Sequence, residues 1–342
     1  MEDVNAILPV VVAVVAVAVS LWLVLRAARR PFNLDGKVIV ITGAASGIGR
    51  CLACMLHART REATLVLLDI DAVALKSLQS QLEANGSKGA AARVRVYECD
   101  VSSDSHVKET IARVLKDVAP KPVAVLVNNA GVVNGKRIAD LAPADVKKTF
   151  GVNVFAHYWL VMELLPSLKS APEALIVTIS SVMSFAPSVG LSDYCASKAA
   201  VSSFHDSLRV IVILMIEPVR MELWREQMTH VRTLVVCPGA VDTGMFEGIF
   251  DGASLMERFA KAFITLLPVE TVARNIYTAM VRGDEKIISC ANGWRGLLFP
   301  WLPVILQVLP VPLSDRVIAL AGGYRGMDTF VGRHKASTNA KK

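Results

Sequence analysis

The segment Val38–Ile41 is β-branched throughout and runs without a break into Thr42-Gly43-Ala-Ala-Ser46-Gly47-Ile48-Gly49. Branched residues favour an extended, buried strand, and glycines let the chain turn sharply at its end. The chain therefore opens as strand, tight turn and helix, a unit that has to bury both faces of its strand. Short apolar runs recur downstream at Thr64–Leu68, Val94–Tyr97, Val123–Val127, Ala174–Ile179 and Arg232–Val236, with Lys286–Ser289 as a candidate seventh. Between them, Asp71–Glu83, Asp104–Val118, Ala144–Leu168 and Ala196–Leu208 carry apolar residues at helical spacing. Strands alternating with helices predict an α/β fold, a doubly wound parallel sheet in a single domain.

The apolar fraction is 53% of 342 residues, and the excess collects at the two ends. Residues Ile7–Leu25 form a nineteen-residue apolar run broken only by Pro9 and Ser20, followed by Arg26, Arg29 and Arg30. At 1.5 Å per residue such a helix is about 28 Å long, enough to cross the hydrocarbon layer. A cleaved signal peptide would carry basic residues before the apolar run, whereas Glu2 and Asp3 stand there. The reading is an N-terminal transmembrane helix, with the basic flank and everything after it facing the cytosol. The divisions are residues 1–30 (anchor), 31–292 (catalytic domain) and 293–342 (apolar extension). The net charge of +7 is spread along the chain, with its largest clusters beside apolar segments or at the end. That distribution argues against nucleic acid as a partner. The six cysteines form no disulfide framework, Cys51 and Cys54 fall within an expected helix, and no Cys or His set is spaced for a metal.

A glycine turn between a strand and a helix lets backbone approach a pyrophosphate, and the helix N-terminus offers it N–H groups. Asp69 strengthens this reading, since it ends the second strand twenty residues after Gly49. There a carboxylate accepts hydrogen bonds from ribose hydroxyls and repels a 2′-phosphate. No Lys or Arg lies within the turn, so NAD is expected over NADP. The plain alternative is that Asp69 is a solvated strand end.

The spacing Gly-x-x-x-Gly-x-Gly, followed in order by Asp100-Val101, Asn128-Asn-Ala-Gly131, Asn153, Ser181, Tyr194-x-x-x-Lys198, Pro238-Gly239 and Thr243, resembles the short-chain dehydrogenase/reductase family over about residues 36–290. The resemblance implies a Rossmann-like sheet. It implies a cofactor held by Gly43, Ser46, Gly47, Ile48, Gly49 and Asp69, with Asp100 and Val101 at the adenine. Asn128 to Gly131, with Asn128, Ala130 and Gly131 against the cofactor, would line the cleft and steady the central sheet, Tyr194, Lys198, Pro238 and Gly239 would also contact the cofactor, and Thr243 would hold the carboxamide. It also implies that Asn153 keeps a water in a proton relay toward Lys198.

Removing a proton from an alcohol near neutral pH is beyond a free tyrosine, whose pKa is about 10. A three-unit shift requires about 4 kcal/mol of preferential phenolate stabilisation. Lys198, one helical turn from Tyr194, supplies part of it. A hydroxyl is also needed to hold the substrate oxygen as charge develops. Ser181, thirteen residues before Tyr194, matches the family spacing, and its neighbour Ser180 should point to the opposite face. By themselves a tyrosine and lysine one turn apart are commonly a surface pair. The histidines at 57, 106, 157, 205 and 230 have no partner at catalytic spacing and read as core or surface residues.

Cys237–Phe246 and Gly326–Arg333 resemble the membrane-associated branch that includes retinol and 17-beta-hydroxysteroid dehydrogenases. Met245 and Phe246 read as the start of a substrate flap. The proline-broken Trp294–Leu313 is suited to lie on a bilayer or cover an apolar pocket. The resemblance points to a retinoid, steroid or long-chain alcohol, to the endoplasmic reticulum or lipid droplets, and to a homodimer. An NADPH-dependent reductase of lipid ketones and a catalytically silent membrane scaffold stand as alternatives. Val210–Arg220 departs from the family pattern, placing Pro218 within an expected helix, and reads as an insertion or an unspliced intron.

Overall fold

A computed structural model describes residues 17, 20, 30–84, 93–208, 230–245, 266–289, 305–306 and 309–320. The expected anchor apart from residues 17, 20 and 30, the segment Val210–Arg220, Phe246 and the Gly326–Arg333 motif lie outside the described residues. Among the described residues no helix is long and apolar enough to cross a membrane.

Seven parallel strands build one sheet: β1 (Val38–Thr42), β2 (Thr64–Asp69), β3 (Val94–Glu98), β4 (Val123–Asn128), β5 (Ala174–Ile179), β6 (Val231–Pro238) and β9 (Lys286–Ser289). Their spatial order is β3-β2-β1-β4-β5-β6-β9, so the winding reverses between β1 and β4, the place where such sheets open a ligand crevice at their carboxyl edge. The expected strands all form, including the seventh. A second, two-residue pairing joins β7 (Val241–Asp242) to β8 (Leu267–Pro268).

The sheet is buried on both sides, which is why its strands read as continuous apolar runs. One face packs Ile39, Ile41, Val125 and Val177 under α1 (Gly47–Arg59), α2 (Ala72–Ala84) and α7 (Val269–Arg282). The other packs Val40, Leu126 and Ile176 under α3 (Asp104–Val118), α5 (Ala156–Ser170) and α6 (Ser192–Leu208). Cys51 and Cys54 fall within α1 as expected, and the five described cysteines are free.

The expected helix Ala144–Leu168 is divided. It begins as α4 (Pro143–Phe150), passes through a π-helical turn at Gly151–Phe155 and continues as α5. A π-turn inserts a residue without ending the rod, so apolar spacing does not reveal it. Helix α8 (Val311–Leu320) follows near the C-terminus, with Val311 and Leu313 exposed.

Candidate functional site

At the end of β1 the turn is built for close approach. Gly43 and Gly47 have φ of 61° and 52°, a region disfavoured for side chains with a Cβ. A Cβ on Gly49 would sit 2.2 Å from the Gly43 carbonyl oxygen, and one on Gly43 would sit 2.9 Å from Ala130 Cα. Ser46 precedes the helix as its N-cap, Ile48 packs against the core, and the first turn of α1 carries no acidic residue to oppose an anion. This cradle fits a dinucleotide pyrophosphate.

Asp69 closes the turn from β2. Its Oδ2 accepts a hydrogen bond from Ala45 N–H at 2.9 Å and its Oδ1 one from Asp71 N–H at 3.1 Å. These bonds aim the carboxylate along the carboxyl edge of the sheet and leave further acceptor lone pairs. Asp100 Oδ1 accepts from Ser102 N–H and Oγ–H at 2.9 and 2.6 Å, and Val101 is buried in the core.

Thr42, and Asn129 from the segment expected to steady the sheet, organise the next segment. The Thr42 hydroxyl accepts from Asn129 N–H and Ala130 N–H, both at 3.0 Å, while Asn129 Nδ2 donates to the carbonyls of Thr42 and Gly43 at 2.8 and 3.1 Å. The glycine turn and the start of the following loop are thereby locked together across β1 and β4. Asn128 does not share this role. It is buried on the α5 side of the sheet, and neither of its amide atoms has a hydrogen-bond partner among the described residues.

Pro238 ends β6, Gly239 follows it, and Thr243 comes back against the glycine turn. A Cβ on Gly47 would be 3.3 Å from Thr243 Cβ and Cγ2. Thr243 thus packs against the glycine turn, as Ala130 does at Gly43.

The residues expected to carry the chemistry come together beside this crevice. Tyr194 lies in the first turn of α6, which starts at Ser192 and so earlier than its apolar spacing indicates. Ser181 hydrogen-bonds the Tyr194 side chain, and its own backbone is set by a short helical turn whose Met183 N–H donates to Ser181 Oγ at 3.1 Å. Ser180 points away, as period-two alternation requires. Its hydroxyl donates to the Lys198 carbonyl at 2.9 Å and pairs with Ser202 Oγ at 2.7 Å.

Lys198 Nζ lies 5.8 Å from the centre of the Tyr194 ring and donates to the Ile179 carbonyl at 2.9 Å. Burial pushes the Tyr194 hydroxyl well above its ordinary range, with the Ser181 hydrogen bond pulling the other way. Burial brings Lys198 down to about 8. Each group is therefore held where a nearby opposite charge changes its protonation most.

Asn153 sits in the π-turn, fully buried. Its Oδ1 accepts from Val132 N–H at 2.8 Å, and its Nδ2 donates to Val132 O and Ser197 Oγ, both at 3.0 Å. A Cβ on Gly131 would fall 3.5 Å from Asn153 Oδ1 and 3.6 Å from Lys198 Nζ, so these three positions converge. His157, one turn beyond Asn153, is buried edge-on to Phe204, and burial with the Lys198 charge holds its imidazole well below the usual range. Among the described residues no cluster of His, Cys, Asp or Glu is placed to hold a metal ion.

A family profile described as short chain dehydrogenase matches residues 37–253. The chain belongs to the short-chain dehydrogenase family. Within that family it is 36% identical over 306 residues to epidermal retinol dehydrogenase 2 of Mus musculus, covering 89% of this chain and 88% of that one. It is 34% identical over 345 residues to retinol dehydrogenase 10 of Homo sapiens, covering 93% and 94%. Among solved structures, a short-chain dehydrogenase/reductase from Burkholderia phymatum in complex with NAD superposes with a TM-score of 0.61 at 27% identity, over 75% of this chain and 90% of that one. A metagenomic short-chain oxidoreductase in complex with NADP superposes with a TM-score of 0.55 at 25% identity, over 75% and 95%. The protein is accordingly an NAD(P)-dependent oxidoreductase acting on CH–OH groups.

Proposed function

We propose that the protein is a membrane-anchored, NAD-preferring dehydrogenase of lipophilic alcohols, a retinoid being the first candidate. The observation that carries the reading is the convergence of Ser181, Tyr194 and Lys198 above a glycine cradle that admits no Cβ. A bound oxidised nicotinamide would supply the acceptor for the hydride of the carbinol carbon. The chain's residues do the rest. Ser181 and Tyr194 hydrogen-bond the substrate oxygen, Tyr194 Oη takes its proton, and Lys198 stabilises the phenolate. Asn153 anchors the Gly131–Val132 backbone beside Lys198, where protons pass to solvent.

The preference for NAD is supported by Asp69 at the end of β2 and by Ile70 after it, an exposed apolar residue where a cation would be needed to greet a 2′-phosphate. Arg50, just after the glycine turn, hydrogen-bonds Gln81 on α2 at 2.6 Å. Asp69→Ala is expected to raise the NAD KM by roughly 10- to 100-fold, the loss of hydrogen bonds to a charged acceptor, and to narrow the gap to NADP.

Membrane attachment is supported by the Ile7–Leu25 run and by the exposed Ile305, Val311 and Leu313, and the resemblance to the membrane-associated branch of the family directs attention to the endoplasmic reticulum and to lipid droplets. The anchor, catalytic domain and apolar extension then keep the boundaries 1–30, 31–292 and 293–342. A homodimer is supported by an exposed apolar stripe of Phe155, Tyr158 and Met162. The deciding experiment incubates membranes containing the full chain with NAD or NADP and all-trans-retinol, a 17-hydroxysteroid or a long-chain alcohol. Turnover of retinol with NAD, absent in Tyr194→Phe, is the expected result. No turnover of any of the three with either cofactor would leave the silent scaffold as the better account.

A further inference from the structure

Two polar rungs join the α4–α5 rod to α6. In the first, Thr149 Oγ donates to Asp193 Oδ2 at 2.8 Å, and Asn134 Nδ2 donates to the same oxygen at 2.7 Å. In the second, Asn153 Nδ2 donates to Ser197 Oγ at 3.0 Å, and Ser197 Oγ donates to the Tyr194 carbonyl at 2.7 Å. Thr149 and Asn153 are four residues apart, as are Asp193 and Ser197, so each rung repeats one helical turn after the other. Tyr194 sits between them. The loop after β4 is threaded into both, through Asn134 in the first and Val132 in the second.

The second rung holds residues already placed at the site, whereas the first does not. Asp193 is 5% exposed, and its second oxygen, Oδ1, is buried with no hydrogen-bond partner among the described residues. An acidic side chain in that setting is costly, and an apolar residue would fill the space more cheaply. What it gains is direction. A carboxylate in the first turn of a helix is favoured by the helix dipole, and this one is gripped from two separate elements. Packing alone leaves Tyr194 less constrained, because with Leu191 and Cys195 it forms a small cluster apart from the two large cores, flanked by Val133 and Met183.

We propose that Asp193 is a positioning residue for Tyr194. Clamped by Thr149 and Asn134, its carboxylate fixes the first turn of α6 against the 131–134 loop, and so fixes the Tyr194 hydroxyl relative to Ser181 and the substrate oxygen. The proposal rests on the dehydrogenase reading above.

The test compares Asp193→Asn, Asp193→Ala and Thr149→Val in the full chain. Asparagine keeps an oxygen able to accept from Thr149 and Asn134, so Asp193→Asn is expected to retain kcat within about threefold, a residual misalignment well below the 100-fold that a displaced group costs. Asp193→Ala and Thr149→Val are expected to lower kcat by about 10- to 100-fold while the NAD Kd stays unchanged. A second readout needs no alcohol: ultraviolet titration of the Tyr194 phenolate in the NAD complex, with Tyr194→Phe as the blank. It should move to higher pH in Asp193→Ala and Thr149→Val and stay in place in Asp193→Asn. An unmoved titration and unchanged kcat in folded Asp193→Ala or Thr149→Val would overturn the proposal. So would Asp193→Asn losing as much kcat as Asp193→Ala while the titration is unmoved in both. If the wild type turns over no alcohol, the functional reading fails by itself and the titration still decides the role of Asp193.

Discussion

Burial acts on Tyr194 and Lys198 in opposite directions, raising the phenol and lowering the ammonium to about 8, which leaves the phenol neutral and Lys198 still mostly charged near neutral pH. Oxidation of an alcohol needs the phenolate and reduction needs the phenol. The kcat/KM for oxidation should therefore rise with pH and that for reduction should fall, and pH profiles measured in both directions check this. Tyr194→Phe is expected to lower kcat by about 10²- to 10⁴-fold with NAD binding retained, as calorimetry can show. For Lys198 the sign of the stability effect follows from the same shift. Its pKa is about 8 in the fold against 10.5 in the ordinary reference state, so the unfolded chain binds more protons between these values. Its contribution to stability thus increases as pH climbs from about 8 to about 10.5. Lys198→Met should abolish turnover yet stabilise the fold at neutral pH by on the order of 1–3 kcal/mol, less whatever the lost bond to Ile179 O was worth. Urea unfolding at two pH values would measure it.

The residues at this scale were unevenly legible. Tyr194, Lys198 and Ser181 stand out because their chemistry depends on spacing along one chain segment. Thr42 and Asn129 do not, since their hydrogen bonds run across β1 and β4, and nothing in either segment alone announces the partner. Asp193 and Thr149 were open to a finer reading, because Asp193 directly precedes Tyr194 and Thr149 lies four residues before Asn153.

At the scale of elements, the glycine turn is the tightest constraint. Gly49→Ala places a methyl 2.2 Å from a backbone oxygen that has no free side-chain end to swing away. Overpacking of this kind costs about 1–3 kcal/mol, and the variant should also bind NAD more weakly. Denaturation midpoints and NAD titration report the two losses separately. The buried strands were readable because a parallel sheet covered on both faces needs uninterrupted apolar runs. The π-turn was not, since adding one residue to a turn leaves the apolar stripe nearly unchanged, yet it is the turn that carries Asn153 to Val132 and Ser197. Helix α7 repeats buried residues at Val272, Ala273, Ile276, Ala279 and Met280, a pattern open to inspection that falls after the last family motif.

For the whole molecule, the beginning of the folded region is fixed firmly. Phe32 N–H donates to the Val281 carbonyl at 2.9 Å, and Arg232, which hydrogen-bonds the Arg30 carbonyl, also pairs with Glu173 at 2.6 Å. Removal of residues 1–29 should therefore leave NAD binding and the thermal midpoint unchanged while moving the protein from the membrane pellet to the supernatant. Fractionation with a binding assay on both fractions tests that, and a truncated chain that stays in the pellet would shift the role of attachment to the C-terminal extension.

These contacts to Arg30 and Phe32 lie where β5 and β6 begin, whereas the crevice opens where the strands end. Strands of five or six residues separate the two by about 17–20 Å. On the proposed membrane attachment, a tether joined at that far edge would work as a leash: it would raise the enzyme's concentration beside a bilayer without turning the mouth of the crevice toward the lipid. Orientation then has to come from a second point of contact. The exposed apolar side chains of Ile305, Val311 and Leu313 are suited to provide it, so a dissolved alcohol and a bilayer-borne one should respond differently to polar substitutions there.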